Sequence, residues 1–339
     1  TRSLCDWSSD VCSSDLIDNE YRRTGGLYIA RSAAERATLK ANRLWWEELG
    51  VEHELWSARE LANSIRLKGL QLVGGDHLAL YYVPRDAKLR NPRHVQALRV
   101  ACERLGVVIH EETEVVGFTT DSERVQSVRL ARSGSAARDA VKVSSAVRSD
   151  EIASDRFCIT AGAWSNLLLG ELNLAGNIYP VRGQMLLFRF PEVPFSMVIN
   201  EGHRYLVPRE DGRVLVGSCE EEVGFNLGTT EAMERQLREW AESLFDEFRS
   251  AELEAKWSGL RPGSIDSFPY LGTLHPFENA YLASGHFRHG LHWSTATGVL
   301  MAQHMLGEPT EIDLEPFRVH RGNMNPEFHF SDRRGNKVP

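Results

Sequence analysis

The 339-residue chain lacks any run approaching the roughly 18 apolar residues that cross a bilayer, so it encodes no membrane-spanning helix. It is poor in cysteine. The five, Cys5, Cys12, Cys102, Cys158 and Cys219, form no C-x-x-C pair and no even framework, which excludes a zinc ribbon or a disulfide-stapled scaffold. A reducing, cytoplasmic setting is expected. It also lacks a basic block: 39 Lys and Arg stand against 47 Asp and Glu, a net charge of −8, so no nucleic-acid partner is expected. His286, His289 and His292 come without an acidic or thiolate cluster, so no metal is expected. What is present, 42% hydrophobic and 25% charged residues, suits a globular chain of one large or two interleaved domains.

Residues 1–16 carry no hydrophobic periodicity and no signal-peptide pattern. They repeat Ser-Ser-Asp at 8–10 and 13–15 and resemble a translated sequencing-adapter peptide, so a non-native or disordered segment is expected.

Beyond it, Gly25-Gly26 leads into a strand ending at Ala30, and Ser32 caps a helix that closes at Gly50. Ser57 and Glu60 have capping-box spacing for a second helix, and Leu78–Val83 reads as a strand. Asn91–Leu105 is the clearest helix, with Pro92 just inside a capped start and Val95, Leu98, Ala101 and Leu105 predicted on its buried face. Val107–Ile109, Glu114–Phe118, Val125–Leu130 and Phe157–Ala161 read as strands, with Arg132–Ser149 an irregular hairpin insertion. Strands over Met185–Phe190, Arg204–Pro208 and Arg213–Ser218 predict a second sheet. Thr230 then caps an amphipathic helix to Arg249, with Leu237, Trp240, Leu244 and Phe248 as core residues. A strand at Tyr281–Ser284, a glycine-rich turn and a helix over Ser294–Leu306 end the fold.

That last turn, Gly285–Gly290 (GHFRHG), carries the chemistry. A glycine-flanked link from strand to helix brings backbone N–H groups and a positive helix end up to an anionic or electron-rich ligand.

With Pro84–Pro92 (PRDAKLRNP), Thr160–Ser165 (TAGAWS), Tyr179–Gln184 (YPVRGQ), Tyr205–Arg209 (YLVPR) with Val216–Ser218, and Gly259–Pro262 (GLRP), the turn forms an ordered set. In order and spacing this set resembles the D-amino-acid oxidase superfamily of FAD enzymes, and within it the glycine oxidases of thiamine biosynthesis. The family's G-x-G-x-x-G turn, which cradles the FAD pyrophosphate, is not found between Thr1 and Pro339, so the first β-α-β element is expected to be lost from this sequence.

The resemblance implies the site. Arg261 is expected to clamp the substrate carboxylate and Tyr205 to add a phenolic hydrogen bond. Arg288 either assists the carboxylate or fixes its loop, and His203 either sits at the site's mouth or simply faces solvent. Val115, Ala161, Gly162, Trp164, Gly285, His286, Phe287, Arg288, His289 and Gly290 are expected to bind FAD, non-covalently because no cysteine follows Cys219. No general base is assigned, since hydride transfer needs orientation more than an acid–base group.

The fold class expected is α+β: an α/β FAD-binding domain of the D-amino-acid oxidase type and an antiparallel-sheet substrate domain. The chain is expected to weave between them, with 17–83 and 171–256 in the substrate domain, 84–170 and 257–320 in the FAD domain, and 321–339 a tail. The implied activity is oxidative deamination of glycine or another small (D-)amino acid, with oxygen reoxidising the flavin to give peroxide. The alternatives are an amino-acid or sarcosine dehydrogenase passing electrons to a carrier, and a catalytically silent flavoprotein-like subunit. Homo-oligomerisation is compatible with all three.

Overall fold

The computed structural model describes residues 17–64, 67, 69–72, 75–132 and 150–321. The expectations for residues 1–16 and 322–339, and for the body of the predicted insertion (133–149), lie outside them.

In chain order the strands are β1 (Arg22–Arg23), β2 (Gly26–Ala30), β3 (Glu54–Trp56), β4 (Ala79–Val83), β5 (Ala87–Lys88), β6 (Thr113–Thr120), β7 (Val125–Arg132), β8 (Asp150–Ala153) and β9 (Phe157–Ile159). They continue with β10 (Ile178–Arg189), β11 (Val198–Glu201), β12 (Arg204–Pro208), β13 (Arg213–Gly217), β14 (Glu252–Ser264), β15 (Tyr270–Thr273) and β16 (Ala280–Ser284). The helices are α1 (Ala33–Glu48), α2 (Ala58–Asn63), α3 (Asn91–Arg104), α4 (Ser165–Glu171), α5 (Glu231–Glu242) and α6 (Gly290–Leu306). The chain divides into two compact units, Thr1–Ile109 with Val181–Leu260, and His110–Pro180 with Arg261–Pro339.

The main sheet runs β14-β10-β13-β12-β11-β2-β4-β3, with β11 and β2 parallel and the pairs from β10 to β11 and from β2 to β3 antiparallel. In the first unit, alternation sends Leu27, Ile29, Leu186, Phe188, Ile199, Leu206, Val214 and Val216 to one face, where they meet Leu237 and Trp240 of α5. Phe188 and Phe190 pack edge-on against Phe248, at ring separations of 5.2 and 4.9 Å. A buried polar group sits in the same layer: Arg31 grips Glu201 through Nε at 2.7 Å and Nη2 at 2.8 Å, and the Trp240 indole N–H donates to the same carboxylate.

The predicted capping box at Ser57 forms, and the predicted cap at Ser32 proves to be one as well. The Ser32 and Ser57 side chains accept from the backbones of Glu35 and Glu60, whose carboxylates reach back to the cap N–H groups. These signals are local and need no tertiary partner.

Five sequence expectations are corrected. On α3 the buried residues are His94 and Ala97, while Val95, Leu98 and Leu105 are 64%, 39% and 84% exposed. Apolar residues occur on more than one side of this helix, and what packs against it selects the face. Its cap position is Arg90 and carries no side-chain hydrogen bond. Val107–Ile109 is not a strand; the Val107 N–H turns back to the Cys102 carbonyl at the end of α3, at 3.0 Å. The helix expected to reach Arg249 ends at Glu242: Phe245 turns extended to stack on Phe195 at 4.7 Å, and a 3₁₀ turn over Asp246–Arg249 then carries Phe248 into the core. The last helix starts at Gly290 and not at Ser294, whose hydroxyl instead donates to the Leu291 carbonyl inside the first turn.

In the second unit β9 and β16 pair in parallel, with β15 antiparallel on the far side of β16. Phe157, Ile159, Leu282, Leu274 and Leu169 of α4 share its core. A separate antiparallel sheet, β6-β7-β8, contributes Phe118 and Val125 to that core.

Candidate active site

In the second unit, the carboxyl ends of the neighbouring parallel strands β9 and β16 each run through a glycine turn into a helix. This is where open sheets with parallel strands bind ligands. The first turn is 160–164 and the second 285–290. Gly162 and Gly285 both have left-handed backbones, with φ of 55° and 82°. Space adds to φ at 285, because a Cβ there would crowd Tyr270, lying 3.2 Å from its Cδ2 and 3.4 Å from Ser264 Cβ.

Buried hydroxyls tie the two turns together. Ser284 Oγ donates to the Gly162 carbonyl at 3.0 Å, and Ser165 Oγ lies 2.7 Å from that carbonyl and 2.9 Å from Ser284 Oγ. Ser165 and Ser284 are 0% and 2% exposed, so neither bond competes with water. Neither serine was singled out from the sequence. Nothing in the spacing of residues 165 and 284 marks them as partners.

The second turn is also fastened to β14. The Phe287 N–H donates to the Pro262 carbonyl at 2.9 Å, one residue beyond Arg261. Arg261 and Arg288 are both half-buried, and each has a polar or electrostatic partner. The second unit thus joins the Arg261 strand, the GHFRHG turn and the TAGAWS turn. Tyr205 stands on β12 of the first unit, and His203 beside it is exposed.

The predicted cofactor residues divide by what they touch. Ala161 and Val115 both pack against the second unit's core from its edge, and Trp164 is 43% exposed. The His286 ring is committed to the helix, with Nε2 2.9 Å from Thr297 Oγ1, and His289 stacks on Trp293 at 4.7 Å. These two side chains shape the turn, which leaves its backbone and the half-buried Phe287 and Arg288 to meet a ligand there.

That backbone fits the electron-rich edge of a flavin. No side chain caps α6 and no acidic residue lies in its first turn, so the helix itself supplies no carboxylate to its positive end. Around a Cβ placed on Gly162 there is open space. Gly162 would let the ring approach, and the N–H groups of α6 would face the negative charge that develops on a reduced flavin.

Burial holds His286 and His94 below the ordinary imidazole pKa, and His289 is lowered by burial and then by His292 and Arg288. The unfolded chain therefore takes up protons that the native chain refuses. Stability from the His286 and His94 rings is complete above the unfolded value of about 6.5 and is lost as pH falls from there towards their lower folded values; His289 is exposed and contributes little. Tm is expected to fall between about pH 7 and 5.5, above the range where the carboxylates titrate, and less steeply in His286→Asn. A Tm that is flat across this interval would show the rings to be solvated in the native state.

Comparison with known proteins agrees with this geometry. The DAO family, described as FAD dependent oxidoreductase, matches residues 2–304, a match that begins within the segment set apart at 1–16. Glycine oxidase of Pseudomonas putida is 34% identical over 326 residues, covering 93% of this chain and 81% of that one. Glycine oxidase of Pseudomonas aeruginosa is 34% identical over 237 residues, 70% of this chain, and the match spans only 60% of that relative's length. Among solved structures, glycine oxidase from Geobacillus kaustophilus aligns with a TM-score of 0.79 at 24% identity, covering 94% of this chain and 80% of that one. L-proline dehydrogenase from P. horikoshii aligns with a TM-score of 0.78 at 20% identity, covering 94% and 80%. At these identities the two structures establish the α+β fold, and the family match over most of the sequence establishes the lineage: the chain belongs to the DAO family of FAD dependent oxidoreductases.

Proposed function

We propose that this chain carries out FAD-dependent oxidative deamination of glycine or another small amino acid, with oxygen as the final acceptor. The observation that carries the reading is the pair of serine-tied glycine turns at the ends of β9 and β16, one of them fastened beside Arg261. Glycine oxidases among the relatives support the choice of substrate.

In this reading residues 84–170 and 257–320 form the FAD domain, and 17–83 and 171–256 the substrate domain. FAD, held non-covalently by the turns at 160–164 and 285–290 with Val115, supplies a two-electron acceptor. Arg261 holds the substrate carboxylate with its planar fork, which fixes the direction of the α-C–H bond. Arg288 adds positive charge to the same turn. Tyr205 offers a phenolic hydrogen to a carboxylate oxygen. Solvent takes the amine proton, since no side chain is assigned as base.

The test is to incubate the FAD-loaded protein with glycine and measure peroxide against glycine consumed. One peroxide per glycine is expected. Glycine-dependent dye reduction without peroxide would sink the oxidase reading in favour of a dehydrogenase, a second reading supported by the shared fold of L-proline dehydrogenase. Flavin that no amino acid reduces would leave a silent binding subunit.

A further inference from the structure

Tyr205 belongs to a row of side chains that crosses the first unit's sheet. Register pairs Met185 with Gly217, Gly217 with Tyr205, Tyr205 with Asn200, and Asn200 with Tyr28. Directly paired residues project from the same face. The next residues along these strands, Leu186, Val216, Leu206, Ile199 and Leu27, point the other way and are at most 2% exposed in the core. The row therefore lies on the opposite face, and Met185, Tyr205, Asn200 and Tyr28 are only half-buried there.

Within the row Tyr205 donates its hydroxyl hydrogen to Met185 Sδ, at 3.4 Å. These residues sit two strands apart, with β13 between them. They meet because the residue between them is Gly217: a Cβ there would overlap Met185 Sδ, lie 2.7 Å from its Cε and lie 2.9 Å from Tyr205 Cζ. A thioether is a weak acceptor. A carboxylate oxygen forms a hydrogen bond roughly twice as strong as a neutral pair, so it would take the hydroxyl from sulfur readily.

We propose that Met185 is a positioning residue for substrate binding. It keeps the Tyr205 hydroxyl aimed along the sheet face on an acceptor weak enough to give it up, across a gap that Gly217 keeps open. The inference rests on the reading of Tyr205 as a carboxylate ligand. It adds that Met185 sets how easily that ligand is released.

The experiment compares Met185→Gln and Met185→Leu in the FAD-loaded protein, each alone and with Tyr205→Phe. Two quantities are read: KM and kcat for glycine, and the calorimetric Kd of acetate, a carboxylate that cannot be oxidised. Glutamine puts a strong acceptor beside the hydroxyl and should raise both KM and Kd by about tenfold, with kcat changed by less than about twofold. Leucine keeps the volume but removes the acceptor that aims the hydroxyl, so both constants should rise by about threefold, less than with glutamine; constants equal to the parent's would overturn the positioning role. With Tyr205→Phe present, glutamine should add nothing further, because the hydroxyl it captures is gone.

A glutamine effect of the same size in the Tyr205→Phe background would overturn the proposal, showing that the substitution acts by packing. So would constants unmoved by glutamine in the parent. If Tyr205→Phe raises both constants while Met185→Gln does not, this inference fails and the parent reading stands. If Tyr205→Phe itself changes neither, both fail.

Discussion

Arg261→Leu is expected to lower kcat/KM for glycine by about a thousandfold while FAD stays bound. The magnitude follows from the clamp: two hydrogen bonds from a guanidinium to a carboxylate contribute about 1.5–3 kcal/mol each, together about 4 kcal/mol, and every 1.4 kcal/mol is about tenfold. Arg261→Lys keeps the charge and loses the planar fork, so an intermediate loss of about thirtyfold is expected. Retention of FAD is expected because the second turn is fastened to β14 through backbone, the Phe287 N–H donating to the Pro262 carbonyl, a bond that the substitution leaves in place. The measurement is steady-state kinetics together with the absorbance of the bound flavin. If the leucine variant holds FAD and keeps kcat/KM within about tenfold, Arg261 is not the clamp.

The largest stability effect is expected at Arg182, in the first unit. Its side chain is 5% exposed and forms a forked pair with Glu221, Nε to Oε2 at 3.1 Å and Nη2 to Oε1 at 3.0 Å. Nη1 donates to the Gly228 carbonyl at 2.8 Å. The two backbones also exchange hydrogen bonds, at 2.8 and 3.0 Å, so this pair fastens the segment leaving β13 to the early part of β10. The Arg182 guanidinium, with Gln184 and Cys219 after it, holds the Glu221 pKa down to about 2 against the cost of burial.

Arg182→Met leaves that carboxylate without its cation and is expected to destabilise the protein by about 3–5 kcal/mol, measured as a lower urea midpoint at neutral pH. Adding Glu221→Leu should recover much of the loss, because an apolar pair avoids the buried charge. The pH dependence has a fixed sign. Glu221 is depressed, so its contribution is complete above about 4.5, is lost as pH falls towards 2, and should shrink in Arg182→Met. A loss below about 1 kcal/mol at neutral pH would show that water replaces the arginine.

The legibility of the fold followed the range of the forces involved. Ser32 and Ser57 were readable as caps because their partners, Glu35 and Glu60, lie three residues on. The glycines of the GHFRHG turn were readable because a strand-to-helix link needs them at short range. The buried face of α3 was not: its sequence offers Val95 and Leu98 as plausibly as Ala97, and the neighbours decide. The end of α5 was not, because Phe245 leaves helical geometry to stack on Phe195, a ring 50 residues earlier in the sequence.

By itself the sequence determined the caps, the alternation that builds the main sheet, and the residue types of the glycine turns. Each of these depends on a residue's own backbone preference or on neighbours within one helical turn. Only the tertiary structure decided that Ser284 holds Gly162, 122 residues away, and that Met185 reaches Tyr205 over Gly217. Parallel strand pairing and cross-strand register join segments that local preferences cannot relate. Their hydrogen bonds and excluded volumes exist only once the sheet has closed.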